Sequence, residues 1–196
     1  FVRIAGVTAN GTRQIASEKT TILAMNWVLA NKDKFNIQAI SFSQGHHTLL
    51  NGTSYCPSTP LTQGVLKALL ASDIPAFVAA GNDKDYKRLN WPACLPEAVA
   101  IGGSAEGDYI APYSNFDANL LDFYALGSMR VKIPGGTEVN AAGTSISTAV
   151  AAATYIKVKS NNLNFKYADV INKFNQSAIQ ITGRGTSGKL INVASL

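Results

Sequence analysis

The sequence predicts an α/β fold in which a mostly parallel sheet is flanked by helices on both faces. The apolar run at 74–80 has the length and continuous hydrophobicity of a strand buried within a parallel sheet, and the runs at 37–42 and 98–102 are predicted as further strands. Segments with helical periodicity lie before and between these runs, and again after them. This order of strands and helices is typical of α/β proteins.

The remaining elements are predicted from local signals. Pro60 occupies a favoured position at the start of a helix. The first two helices carry apolar stripes, formed by Ile22, Met25 and Leu29 and by Leu61, Val65 and Leu69. In chain order the predicted elements are strand 2–7, helix 17–31, strand 37–42, a helix from 60, strands 74–80, 98–102, 120–125 and 129–133, a helix from 145, helix 166–176 and a short helix over 192–196.

Composition indicates one globular domain and narrows the classes of partner. The chain has 196 residues, of which 46% are hydrophobic, which is enough for a single substantial core over 1–196. No apolar run has the length needed to span a bilayer, so no membrane partner is expected. The formal net charge of +5 comes from scattered Lys and Arg residues, which favours a solvated surface and no nucleic-acid partner.

The two cysteines, Cys56 and Cys94, leave two interpretations open. If they pair, they close a loop of roughly 40 residues and stabilise the fold by about 4 kcal/mol in the chain-entropy model. Otherwise they are two unrelated free thiols. No Cys or His spacing is typical of a metal site, and none is predicted.

Ser145 precedes a long Ala-rich segment that predicts a helix, and it follows the small residues of 140–144. At a helix start, unpaired N–H groups and the helix dipole favour negative charge. A serine nucleophile benefits there, because its reaction forms an oxyanion. The simpler interpretation is an N-cap, and this stretch alone favours the cap.

Asn82 follows the apolar strand 74–80 and the glycine Gly81. Side chains at the carboxyl end of a parallel strand lie on the edge where α/β sheets bind ligands, and an amide can donate a hydrogen bond to an oxyanion. The alternative is a turn residue, and Asn82 by itself favours that alternative. The strand at 37–42 also ends in a small polar segment, Ser43-Gln44-Gly45.

Together these three blocks resemble the subtilisin-like serine proteases, or subtilases. Gly143-Thr144-Ser145 is similar to that family's Gly-Thr-Ser nucleophile motif at a helix start. Ala79-Ala80-Gly81-Asn82 is similar to the strand end that bears its oxyanion-hole asparagine, and Ser43-Gln44-Gly45 lies where the family has Ser-Leu-Gly. Further matches follow in the family's order, at 91–102, 125–127 and 183–194.

The resemblance implies a subtilisin-like fold, a peptide or protein substrate and a set of site residues. Ser145 becomes the nucleophile and Asn82 an oxyanion donor. Substrate-binding positions are implied for Ser43, Gln44, Gly45, Ala80, Gly81 and Asn90. Asn90 replaces a frequent glycine and predicts a shallower or more polar pocket, and the bond between Trp91 and Pro92 is a candidate cis peptide. The chemistry implies no cofactor; structural calcium and oligomeric state stay open.

The family's triad follows the order Asp, His, Ser. Nothing in the chain reads Asp-Ser/Thr-Gly or Gly-His-Gly-Thr. The adjacent histidines His46 and His47 do not match the catalytic one and are interpreted as a solvated loop. The Asp and His are therefore expected before Phe1, which makes this chain the carboxyl-terminal part of a catalytic domain, its amino-terminal portion missing. By itself it is expected to be inactive, because a serine without a base is a poor nucleophile.

Two other functional classes stay open. A lipase-type hydrolase needs Gly-x-Ser-x-Gly, and position 147 is serine instead of glycine. A non-catalytic subtilase-like binding protein is the stronger alternative, because Ser147, Ala149 and Ala153 depart from the family's pattern after the nucleophile. Similar subtilases with cysteines at the two corresponding places are secreted. The resemblance therefore implies a Cys56–Cys94 disulfide and an extracellular or cell-surface location.

Overall fold

The computed structural model describes residues 2, 4, 6–7, 10–11, 13–14, 16–45, 56, 59–106 and 108–196, the side chains at 6–7 and 13–14 excepted. In chain order the elements are β1 (Gly6–Val7), β2 (Arg13–Gln14), α1 (Glu18–Phe35), β3 (Ile40–Phe42), α2 (Pro60–Ala71), β4 (Ala76–Ala79), β5 (Val99–Ala105), β6 (Tyr109–Ile110), β7 (Phe123–Leu126), β8 (Ser128–Lys132), β9 (Glu138–Ala142), α3 (Thr144–Asn161), α4 (Tyr167–Ser177), β10 (Ile179–Gly183), β11 (Thr186–Leu190) and a 3₁₀ turn at Val193–Ser195.

The main sheet is built on four parallel strands in the order β3, β4, β5 and β7. β11 continues this set, since it pairs parallel with β7. Two antiparallel contacts, β10 with β11 and β5 with β6, and one parallel contact, β10 with β6, join the far strands back to β5. The predicted mostly parallel sheet is confirmed, with antiparallel strands at one end.

Helices cover both faces of this sheet, as predicted. Along β4, Ala76 and Val78 face a core cluster shared with α1 and α2, whereas Phe77 faces a second cluster shared with α3 and α4. The alternation follows from the two-residue repeat of a strand, which sends successive side chains to opposite faces. Because both faces are apolar, β4 is buried at every position.

The two amino-terminal helices differ from prediction in detail. α1 begins after Ser17, whose Oγ accepts the Thr20 N–H at 3.2 Å, and it ends at Asn36 in a left-handed conformation. The predicted burial of Leu61 in α2 is wrong, because 73% of this residue is exposed. The buried stripe consists of Thr62, Val65, Leu66 and Leu69. These follow the i, i+3, i+4, i+7 pattern, and Leu61 lies one residue, or about 100°, away from it.

Several other predictions have a clear outcome. The predicted strands at 74–80, 98–102, 120–125 and 129–133 are present with shifted ends, and 2–7 falls largely on undescribed residues. The small residues Asn140–Ala142 belong to β9, which forms a hairpin with β8. The Trp91–Pro92 peptide is cis, and Cys56 and Cys94 form a disulfide with Cα atoms 5.9 Å apart. Over the part of the chain that is described, no helix is long and apolar enough to cross a membrane.

Candidate active site

Ser145 lies in the first turn of α3, at the carboxyl edge of the parallel sheet. The cap interpretation of Ser145 is wrong, because the residue at the capping position is Gly143, at φ 150°, which has no side chain to cap the helix. Ser145 Oγ instead donates to the Ser43 carbonyl at 3.0 Å, and Ser43 Oγ donates to the Ser145 carbonyl at 3.1 Å. These reciprocal bonds join the start of α3 to the segment that follows β3 and leave the serine half-buried.

Asn82 contacts the residue just before this serine. Its Oδ1 accepts two hydrogen bonds from Thr144, one from the N–H at 2.9 Å and one from Oγ1 at 3.0 Å. Because both bonds use the oxygen, the amide nitrogen Nδ2 is left as the donor of this side chain. A Cβ at Gly143 would lie 3.3 Å from that nitrogen, so a glycine at this position keeps the approach open.

A cleft of about 280 Å³ lies beside these groups. Its walls are the segments that follow β3 and β4, which meet because both strands run in the same direction. The lining residues are Ser43, Gln44, Gly45, Ala79, Gly81, Asn82, Asp83, Asn90, Thr144 and Ser145. The structure therefore brings together all the sequence-predicted site residues except Ala80.

Ala80 is fully buried and packs in the core between the sheet and α2, so its side chain does not reach the cleft. Its carbonyl accepts the Asn90 N–H at 2.9 Å and so helps to hold the cleft floor. Ala79, Asp83 and Thr144 line the cleft but were missed. These three residues could have been predicted from the sequence, because each is adjacent to one of the predicted site residues.

A network of amide and carboxylate groups forms the base of the cleft. Asn90 Nδ2 donates to Asp83 Oδ2 at 2.8 Å, and Asn90 Oδ1 accepts from Asn115 Nδ2 at 3.2 Å. Asn115 Oδ1 in turn accepts the backbone N–H groups of Asp83 at 2.8 Å and Asp85 at 3.1 Å. Asn115 was not predicted, since it lies 25 residues from Asn90 in a segment without a local signal.

Among the described residues, no imidazole or carboxylate is hydrogen-bonded to Ser145 Oγ. His46 and His47 lie outside them. Asp122 as a whole residue is exposed, but its carboxyl group accepts the Ala100 N–H at 2.8 Å. Desolvation of that carboxyl group, partly offset by the hydrogen bond, raises its pKa to about 6. Asp122 does not line the cleft. The same part of the chain contains no group of three or more His, Cys, Asp or Glu side chains that could hold a metal.

The order of these blocks and their geometry agree with one sequence family. Residues 1–190 match the profile of the subtilase family, peptidase S8. The chain belongs to the subtilase family. The predicted family is therefore confirmed over almost the whole chain.

The curated subtilases that match this chain are longer than the chain itself. The chain is 30% identical over 138 residues to subtilisin-like protease 6 of Trichophyton schoenleinii, a match that spans 69% of this chain and 34% of the relative. The same protease of Arthroderma gypseum is 26% identical over 178 residues, 89% of this chain and 43% of the relative. The matched part is therefore about a third to two fifths of the length of these relatives.

Solved subtilase structures share the fold. A cold adapted subtilisin-like serine proteinase superposes with a TM-score of 0.74 at 20% identity, over 95% of this chain and 64% of that protein. The prenylagaramide maturation protease PagA superposes with a TM-score of 0.71 at 18% identity, over 85% of this chain and 59% of that protein. The predicted subtilisin-like fold is confirmed by these superpositions.

A second and larger depression lies beside the cleft that Asn82 and Ser145 line. This apolar groove, of about 1390 Å³, runs between α1 and β3 and reaches Ser43 and Gln44. Trp27 and Phe35 of α1 are large, exposed apolar side chains along it. Ser43 and Gln44 line both the groove and the cleft, and the buried Gln44 Nε2 has no acceptor among the described residues.

Proposed function

We propose that residues 1–196 are a single partial catalytic domain of a subtilisin-like serine endopeptidase. Its peptide-bond hydrolysis passes through an acyl-enzyme on Ser145, and its Asp and His lie upstream of residue 1. The observation that carries this proposal is the shared cleft, in which the hydroxyl of Ser145 and the amide of Asn82 lie side by side at the carboxyl edge of the sheet. Peptides or proteins are the substrates of such an enzyme.

The acylation step follows from the positions of three groups. Ser145 Oγ forms a C–O bond with the substrate carbonyl carbon while its proton passes to the upstream histidine. The oxyanion accepts hydrogen bonds from Asn82 Nδ2 and from the Ser145 N–H, which lies in the first turn of α3 and has no intrahelical acceptor. Collapse of the intermediate breaks the C–N bond, and the histidine returns the proton to the leaving amine. A water molecule then attacks the ester of the acyl-enzyme, and the same steps release the acid product and restore the Ser145 hydroxyl.

The contacts of Asn82 support its assignment as the oxyanion donor. Since Oδ1 is held by both donors of Thr144, the side chain cannot rotate its amide without losing two hydrogen bonds. The Nδ2 group is therefore oriented before substrate binds. Preorganised donors of this kind are the part of an active site that lowers a barrier most, because they need no reorganisation during the reaction.

An extracellular or cell-surface location forms part of the proposal. The Cys56–Cys94 disulfide supports it, since structural disulfides persist in oxidising compartments. The bond links Cys56, which follows the wall segment at 43–45 in the chain, to Cys94, which follows Asn90 at the base of the cleft.

The test compares two serine variants in the full-length protein that carries this chain, with a quenched fluorescent protein substrate. Ser145→Ala is expected to lower kcat by about 10⁶-fold, the loss known for removing the serine of subtilisin, and to leave only the residual rate that substrate binding and the oxyanion hole supply. Ser147→Ala is the matched control, because this serine lies two residues further along α3, is fully buried and lines no part of the cleft. A Ser145→Ala variant that cleaves within about tenfold of the wild-type rate would refute the proposal. A wild-type protein without Ser145-dependent cleavage would favour the non-catalytic binding protein.

A further inference from the structure

The segment that carries Asn82 belongs to no strand or helix. It follows β4, and its backbone turns through the left-handed region at Gly81, with φ 114°, and at Lys84, with φ 59°. The second of these conformations is unfavourable for a residue with a side chain, so it persists only where the surrounding structure holds it. The position of residues 81–85, and of Asn82 within them, therefore depends on what this segment packs against.

Residues 113–116 provide that support. Three backbone hydrogen bonds join the two segments, from the Asn115 N–H to the Gly81 carbonyl at 3.0 Å, from the Lys84 N–H to the Tyr113 carbonyl at 3.1 Å and from the Phe116 N–H to the Asp85 carbonyl at 2.8 Å. The support therefore comes from a distant part of the chain.

The side chain of Asn115 is fully buried and strengthens the same contact. Its Oδ1 accepts the N–H groups of Asp83 at 2.8 Å and Asp85 at 3.1 Å. Its Nδ2 donates to Asp83 Oδ2 at 3.3 Å and to Asn90 Oδ1 at 3.2 Å. Since an amide has two donor hydrogens and one oxygen with two lone pairs, all the hydrogen-bonding positions of this side chain are occupied.

These bonds reach the residues on both sides of Asn82. Asn115 holds Gly81 through its backbone N–H and Asp83 through its side chain. The contact is close, since a Cβ at Gly81 would lie 2.4 Å from Asn115 Nδ2. A shift of the 81–85 segment would therefore move Asn82 Nδ2 relative to Ser145 Oγ. A misplacement of about 1 Å in an active site costs on the order of 10²-fold in rate.

We propose that Asn115 is a positioning residue for the oxyanion site, because its amide fixes the segment that aims Asn82 Nδ2 at the reacting carbonyl. This inference rests on the proposed peptidase function. Asn115 does not line the cleft, so it acts on the reaction through Asn82 and not through a contact with substrate. Its effect is therefore expected in kcat, and the effect requires the Nδ2 group of Asn82 to be present.

The experiment is a double-mutant cycle on kcat, measured with a peptide substrate and the full-length protein. Asn115→Ala is expected to lower kcat by about 10- to 100-fold, less than the loss of about 10²–10³-fold expected when the Asn82 donor itself is removed. When Asn82→Ala is already present, adding Asn115→Ala should change kcat by less than about threefold, because no donor is left to misplace. A purely structural defect would lower kcat equally in both backgrounds.

Asn115→Ser is the milder second variant, because its hydroxyl still offers an acceptor to the freed N–H groups, directly or through water. Its loss of kcat should likewise depend on the presence of Asn82. The matched control is Asn119→Ala, an exposed asparagine in the turn that follows, which should leave kcat unchanged. Thermal unfolding establishes that each variant is folded at the assay temperature.

Two results would overturn this inference alone while cleavage remains Ser145-dependent. One is a wild-type kcat in both folded Asn115 variants, and the other is a loss of kcat that is the same with and without Asn82→Ala. The absence of Ser145-dependent cleavage by the wild type would instead refute the peptidase function, and the inference with it.

Discussion

Replacing Asn82 by aspartate separates the chemical role of its amide from the structural one. The carboxylate of Asn82→Asp keeps an oxygen that can accept the Thr144 N–H and Oγ1, so the contact with the start of α3 survives. What disappears is the Nδ2 donor, one of the two groups proposed to bind the oxyanion. The variant also places a negative charge beside the developing one, which opposes the reaction further.

The expected effect is a fall in kcat of about 10²–10³-fold, which is the loss known for removing one such donor from subtilisin. KM should change little, because the donor acts on the oxyanion of the transition state. Asn82→Ala should lose a similar factor in kcat. It should also lose about 1 kcal/mol of stability, because the Thr144 N–H no longer has its acceptor.

The assay is steady-state cleavage of a peptide substrate by the full-length protein, together with urea unfolding of both variants. The reasoning would be refuted if Asn82→Asp retained kcat within about threefold of the wild type. It would also be refuted if the loss appeared in KM alone, because Asn82 would then bind substrate and transition state equally well.

Three further predictions concern stability. Ser147→Ala should stabilise the protein by about 1 kcal/mol in urea unfolding, because the buried Ser147 Oγ has no partner in the described part of the chain; destabilisation would contradict this. The raised pKa of Asp122 favours the protonated carboxyl group in the folded state. The contribution of this group to the free energy of unfolding is therefore fully present below about pH 4 and is lost as the pH rises through about 6. The stability of Asp122→Asn relative to the wild type should therefore rise by about 1 kcal/mol between pH 4 and pH 7, a value reduced from the full pKa shift because the residue is exposed to solvent. A pH-independent difference between the two proteins would contradict this account. Replacing Cys56 and Cys94 by serine should cost about 4 kcal/mol, and an unchanged unfolding midpoint would show that the bond does not constrain the unfolded chain.

The strands of the parallel sheet could be predicted because their signal is local. A continuous apolar run such as that of β4 is buried on both faces, and few other structures suit it. The hairpin of β10 and β11 was missed for the opposite reason. β11 consists of Thr, Ser, Gly, Lys and Leu, which carry little strand signal. Gly188 is required there because a Cβ would overlap the ring of Tyr124, and that contact is tertiary.

The candidate site shows the same division between local and tertiary information. Ser145 and Asn82 could be singled out because each follows an element end with a recognisable motif. The role of Ser145 as a cap was favoured locally, and it fails because the start of α3 is fixed by Asn82 on another segment. The contribution of Asn115 could not be predicted, since its amide gains a function only when the fold brings it to Asn90 and Asp83.

Labelling with a fluorophosphonate probe tests the central claim most directly, because the probe reacts with a serine only when a base and an oxyanion hole activate it. The full-length protein and the 196-residue chain are treated in parallel, and the modified residue is located by mass spectrometry. The account predicts a label on Ser145 of the full-length protein, no label in Ser145→Ala, and almost none on the 196-residue chain alone. A full-length protein that stays unlabelled or is labelled on another serine, or robust labelling of the chain alone, would contradict it.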